Sequence, residues 1–202
     1  MRFNVFGIKV QVSFMMILLM TLSVVTAGVG QTLVLLCFFS AVLHELGHLI
    51  FIYTFNGKPD KIEINLFEVK ICSDICLSSK RKDVIITFAG IAFNLLFSAF
   101  AGVLYCFCHN RFIVDFTLCN LCVAFINLLP VQSFDGGQLL YLFLTEFISE
   151  KSAFTVVFVL TIVLMFPLFI AGVFVLFTSQ HNYSLLFVFL YLLSIFISKE
   201  LR

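Results

Sequence analysis

Five consecutive residues, His44-Glu45-Leu46-Gly47-His48, set two imidazoles four positions apart with a carboxylate beside the first. On a helix, residues four apart share a face, so both rings can reach one zinc ion at the required distance of about 2.0–2.1 Å. Glu45 stands one position on, near enough to take a proton from an attacking water without being a ligand. The chemistry this implies is metal-assisted hydrolysis. Catalytic zinc takes three protein ligands and keeps one position open, so one further ligand must come from elsewhere in the chain. The plainer alternative is a pair of histidines hydrogen-bonded between helices.

The elements that must position these groups are set by the solvent. Of 202 residues, 62% are hydrophobic and 11% charged, with 28 Phe and no Trp, and the mean hydropathy is +1.15. A soluble domain has about 25% charged residues, so most of this surface must meet lipid. A net charge of +1 gives no basic face for nucleic acid. Apolar runs long enough to cross a bilayer fall at 12–29, 32–55, 84–107, 112–130, 153–178 and 183–198. The expected fold is an all-α polytopic membrane protein of one domain, 1–202, with six transmembrane helices and short β-strands on the cytoplasmic side. With the N-terminus cytoplasmic, that side carries Arg2, Lys9, Lys58, Lys61, Lys70, Lys80, Arg81, Lys82, Lys151, Lys199 and Arg202, against Arg111 alone outside. Positive charge favours the cytoplasm, so both termini are expected there.

This topology narrows the third ligand. His109 and His181 fall in outer loops, whereas the second span descends from outside and brings His44 about 20 Å down at 1.5 Å per residue. Asp135, in Asn127-Leu128-Leu129-Pro130-Val131-Gln132-Ser133-Phe134-Asp135-Gly136-Gly137, lies where the fourth span reaches the same side. Pro130 and the glycine pair interrupt the helix and let the carboxylate turn inward. A simple Asp-Gly turn is the competing reading. Three ionisable side chains within five residues of an apolar helix are expensive in lipid unless they face protein and do work.

His-Glu-Leu-Gly-His in one span, followed by Asn-Leu-Leu-Pro-x₄-Asp-Gly-Gly in a later one, resembles the site-2 protease family of intramembrane zinc metalloproteases. Within it, the wording resembles the stage IV sporulation protease FB group. The resemblance implies that His44, His48 and Asp135 bind one Zn²⁺, that Glu45 is the general base, and that the substrate is a membrane-anchored protein. A link to sporulation follows from the resemblance alone, as does a place in the bacterial cell membrane alongside regulatory membrane proteins. The family's Ala-Gly-Pro-x-x-Asn pattern reads Ala89-Gly90-Ile91-Ala92-Phe93-Asn94 here, with Ile in place of Pro. Asn94 and Asn127 are therefore candidates for substrate positioning, with an interhelical hydrogen bond as the alternative for each. The nucleotide-sensing CBS domain common in the group does not follow the sixth span before Arg202, nor is there a PDZ-like insertion, so control is expected to differ.

Residues 3–12 and 61–71 alternate polar and apolar side chains, with a slip at Leu66-Phe67, and read as short strands. The second is expected to be an edge strand that receives unwound substrate. Of seven Cys, Cys119 and Cys122, and Cys72 and Cys76, stand close in sequence, but neither pair has a second half at metal-site spacing. Two other functions compete. A metal transporter would spread its ligands along a path and has no need of Glu45. An inactive binding protein of the same fold would usually have lost that glutamate.

Overall fold

The computed structural model describes residues 2–5, 8–12, 21, 24, 32–56, 61–64, 69–72, 79–178, 189, 190 and 193. Four of the described helices are long and apolar enough to cross a membrane: Thr32–Phe55, Lys80–Cys108, Arg111–Leu128 and Glu150–Thr178. The expected first and sixth spans lie almost wholly outside the described residues. The helices show large apolar side chains at their surfaces, with Phe107 79% and Phe177 80% exposed. Lipid, not water, is the solvent that tolerates such faces. The chain is an integral membrane protein.

Two compact clusters are distinguished, Met1–Asn127 and Leu128–Arg202. The first begins with strands β1 (Arg2–Val5) and β2 (Ile8–Val12), followed by helix α1 (Thr32–Asn56). Strands β3 (Lys61–Ile64) and β4 (Val69–Cys72), then helices α2 (Lys80–Cys108) and α3 (Arg111–Leu128), complete the order. The strands form one sheet in the order β1-β2-β3-β4. Pairing is antiparallel for β1 with β2 and for β3 with β4, and parallel for β2 with β3. The segment 61–71 is thus not one edge strand. Its first half is an inner strand paired on both sides, and only β4 lies at the edge. The slip at Leu66-Phe67 falls between them, where the alternation that defines a strand fails.

Helices α1 and α2 run in opposite senses and meet along two stripes of fourth residues. Ser40, His44 and His48 on α1 face Asn94, Gly90 and Ile86 on α2. Small buried residues line these helices: Ser40, Ala89, Ser98 and Ala101, with Ala124 on α3. Between membrane helices, small residues let backbones approach and polar side chains bridge the gap. Ser98 Oγ, for example, donates to Thr117 O on α3 at 3.3 Å.

The second cluster holds α4 (Asp135–Leu144) and α5 (Glu150–Thr178). Helix α4 was not expected from the sequence. Ten residues are too few for a span, and two opening glycines are poor helix formers. Helix α5 keeps Pro167 in its interior, as membrane helices can where neighbouring groups satisfy the freed carbonyl.

Candidate metal centre

The order of construction is clearest at Asn94, which is fully buried. Its Nδ2 donates to Ser40 O at 2.9 Å and to Asn120 Oδ1 at 3.0 Å. A backbone carbonyl can only accept, so the amide cannot be turned the other way round. Its Oδ1 therefore faces His44 Nδ1, at 2.9 Å, and that nitrogen must carry the proton. The lone pair of His44 is thereby on Nε2.

His48 is fixed in the same sense by a different group. Its Nδ1 donates to Ile86 O at 2.8 Å, which again puts the lone pair on Nε2. The two Nε2 atoms lie 3.2 Å apart, with the rings edge to face. Two lone pairs turned on each other at that distance repel unless a proton or a metal ion lies between them. For a tetrahedral zinc with bonds of about 2.0–2.1 Å, neighbouring nitrogens stand about 3.3–3.4 Å apart. The donor set fits the ion.

Gly90 makes room for both rings. A Cβ built there would lie 2.4 Å from His48 Nε2 and 2.8 Å from His44 Cε1. Its lack of a side chain also leaves the carbonyl of Ile86, one turn earlier, open to His48. One face of α2 therefore accommodates and orients both histidines.

Asp135 opens α4, with Phe134 extended at the N-cap. A carboxylate in the first turn is favoured by the helix dipole. The turn before it is tightly folded: Val131 N bonds Leu129 O at 2.7 Å and Phe134 N bonds Val131 O at 2.9 Å. Cβ atoms at Gly136 and Gly137 would each fall 2.1 Å from a backbone carbonyl, of Leu128 and Val131 respectively. The glycine pair is thus a packing requirement. Gln132 N donates to the buried Thr161 Oγ1 of α5 at 2.9 Å, which pins the turn in place.

His44 and His48 in the first cluster each offer a ring nitrogen, and Asp135 in the second a carboxylate oxygen, of the kinds that ligate a metal ion. Glu45 is half-buried on α1. Asn127 is half-buried on α3 and donates to Val123 O of its own helix at 3.0 Å. His109 is exposed at the C-cap of α2 in the left-handed region, φ 45°, and His181 lies outside the described residues. Cys119 stands against Cys37, Sγ to Sγ 3.4 Å. Three contributors were not anticipated: Asn120, the Ile86 carbonyl and Thr161. An asparagine in mid-span, costly in lipid, is the signal that would have flagged Asn120.

Residues 108–171 match the family model described as Peptidase family M50. A comparison with curated protein sequences gives no match. In fold the chain is similar to a site-2 protease from Methanocaldococcus jannaschii, with a TM-score of 0.67 and 21% identity over 95% of this chain and 91% of that one. A shared fold at that identity speaks for architecture, and the family model for the segment that it matches. Residues 108–171 thus resemble Peptidase family M50, and the chain shares the overall fold of a site-2 protease.

Proposed function

We propose that the chain is a zinc endopeptidase that cleaves a membrane-anchored protein in or near the cytoplasmic half of the bilayer. In this reading His44, His48 and Asp135 hold the ion and Glu45 is the general base. The observation that carries it is the pair of tethered imidazoles, Nε2 to Nε2 3.2 Å, each held through Nδ1 by a group on α2. Zinc bound there supplies Lewis acidity, which acidifies a water and polarises the scissile carbonyl. Glu45 takes the proton as the water attacks and returns it to the leaving amine. The hydrogen bonds of His44 and His48 to α2 hold the rings still through both transfers.

A helical substrate shields its own peptide bonds, so it must unwind locally. Strand β4, paired on one side only among the described residues, offers main-chain groups to hold it extended. Asn127 is the candidate for contact with that segment. The Lys and Arg asymmetry supports cytoplasmic termini, the resemblance supports a bacterial cell membrane, and cleavage on the cytoplasmic side would suit release of a regulatory factor.

The test is purified protein with a single-span protein substrate, with and without a chelator. Glu45→Gln should reduce turnover by more than about 10²-fold while zinc, measured by elemental analysis, stays bound. Near-normal turnover by this variant would remove Glu45 from the mechanism. Cleavage indifferent to chelation would remove the metal, and metal flux without cleavage would make the chain a transporter.

A further inference from the structure

Asn94 is too deeply engaged to meet a substrate. All of its amide is used inside the first cluster: Oδ1 toward His44 Nδ1, and Nδ2 toward both Ser40 O and Asn120 Oδ1. Asn120 in turn is fully buried, and its own Nδ2 donates to Phe116 O at 2.9 Å. The result is a continuous polar chain across three helices, from α3 through α2 to a candidate metal ligand on α1. Each link has only one workable direction, because Asn120 Nδ2 is committed to Phe116 O and Asn94 Nδ2 to Ser40 O.

We infer that Asn94 is a positioning residue that fixes the tautomer and ring plane of His44, with Asn120 as its brace, rather than a group that binds substrate. This rests on the reading of His44 as a metal ligand. The physical reason is that an imidazole can give its lone pair to a metal through only one nitrogen while the other keeps the proton. A buried acceptor at Nδ1 makes Nε2 that ligand and raises its basicity. His48 receives the same service from a backbone carbonyl, which no substitution can remove. His44 depends on a side chain, so the device is open to mutation at one ligand only.

The direct measurement is the tautomer of His44 in zinc-stripped protein, read from ¹⁵N shifts of histidine-labelled protein in micelles, with His44→Ala to assign the signal. The Nδ1–H form is expected. An Nε2–H form overturns the inference. Two substitutions then separate positioning from helix stapling. Asn94→Leu removes the acceptor and both donors, and should weaken zinc binding by about 10–100-fold in competition with a chelator. Asn94→Asp keeps the acceptor for His44 but loses the donors to Ser40 O and Asn120. It should lower the melting temperature while holding zinc at least as tightly as the native chain. Equal loss of zinc affinity in Asp and Leu variants would make Asn94 a staple and nothing else. Native affinity in Asn94→Leu would likewise overturn the inference while leaving the metal centre intact. Failure of the native protein itself to bind zinc, unchanged by His44→Ala, would instead strike the metal reading on which the inference stands.

Discussion

His44 Nδ1 and Asn94 Oδ1 lie 2.9 Å apart, both side chains buried between α1 and α2. The bond does two things at once. It joins two helices where the apolar effect gives little help, contributing about 0.6 kcal/mol if it resembles other interhelical bonds in membranes. It also decides which nitrogen of His44 faces His48. Helix packing and the orientation of the His44 ring are therefore set by the same pair of atoms.

Replacing each ligand in turn should separate the three. His44→Ala, His48→Ala and Asp135→Ala are each expected to lose both metal and activity, because two remaining ligands do not make a closed catalytic site. Elemental analysis of the purified variants is the readout. If Asp135→Ala keeps stoichiometric zinc, the third ligand lies elsewhere, and the Cys37–Cys119 pair becomes the next place to look.

Gly90 offers a sharper test, since it is buried and carries no functional group. Gly90→Ala would drive a methyl to 2.4 Å from His48 Nε2 and 2.8 Å from His44 Cε1. Overpacking of this kind costs about 1–3 kcal/mol, and the displaced rings should bind zinc about 10–100-fold more weakly. The control lies on the same helix. A Cβ at Gly102 would meet nothing within 4 Å, so Gly102→Ala should leave zinc affinity alone and gain up to about 1 kcal/mol of helix propensity. Equal behaviour of the two alanines would mean that Gly90 is not a spacer for the histidines.

The contrast between those glycines shows what the sequence could and could not display. His44, Glu45, His48 and Asp135 stand out in the sequence as candidates because ionisable groups in an apolar chain are costly. The apolar runs behind α1, α2, α3 and α5 were legible for the same reason in reverse. Gly90 and Asn94 were visible as letters, but not what each does, because their contacts come from residues some 40–50 positions away. Helix α4 was hidden by its length and its glycines. The inner position of β3 was hidden because its parallel pairing with β2 joins strands separated by all of α1, and alternation reports a strand without naming its neighbours.

That pairing redirects the search for the substrate edge. Proline removes a main-chain donor, and a strand tolerates it only where that donor is unpaired. In β3, flanked on both sides, proline at Ile62, Glu63 or Ile64 should break the sheet and lower stability whichever way the N–H points. In β4 the outcome should alternate. Residues Val69 to Cys72 pair in register with Ile64 to Lys61, and alternate N–H groups of such a strand point toward its partner and away from it. Proline at one parity should unpair β4 from β3. At the other parity it should leave the fold and zinc content unchanged yet impair cleavage, because the outward N–H is the one that would bond an extended substrate. Strand β1, the opposite edge, supplies the control: outward-facing proline there should have no effect on turnover. The measurements are melting temperature, zinc content and cleavage rate for each variant. Normal cleavage by all folded, metallated β4 prolines would exclude this edge as the place where substrate is held.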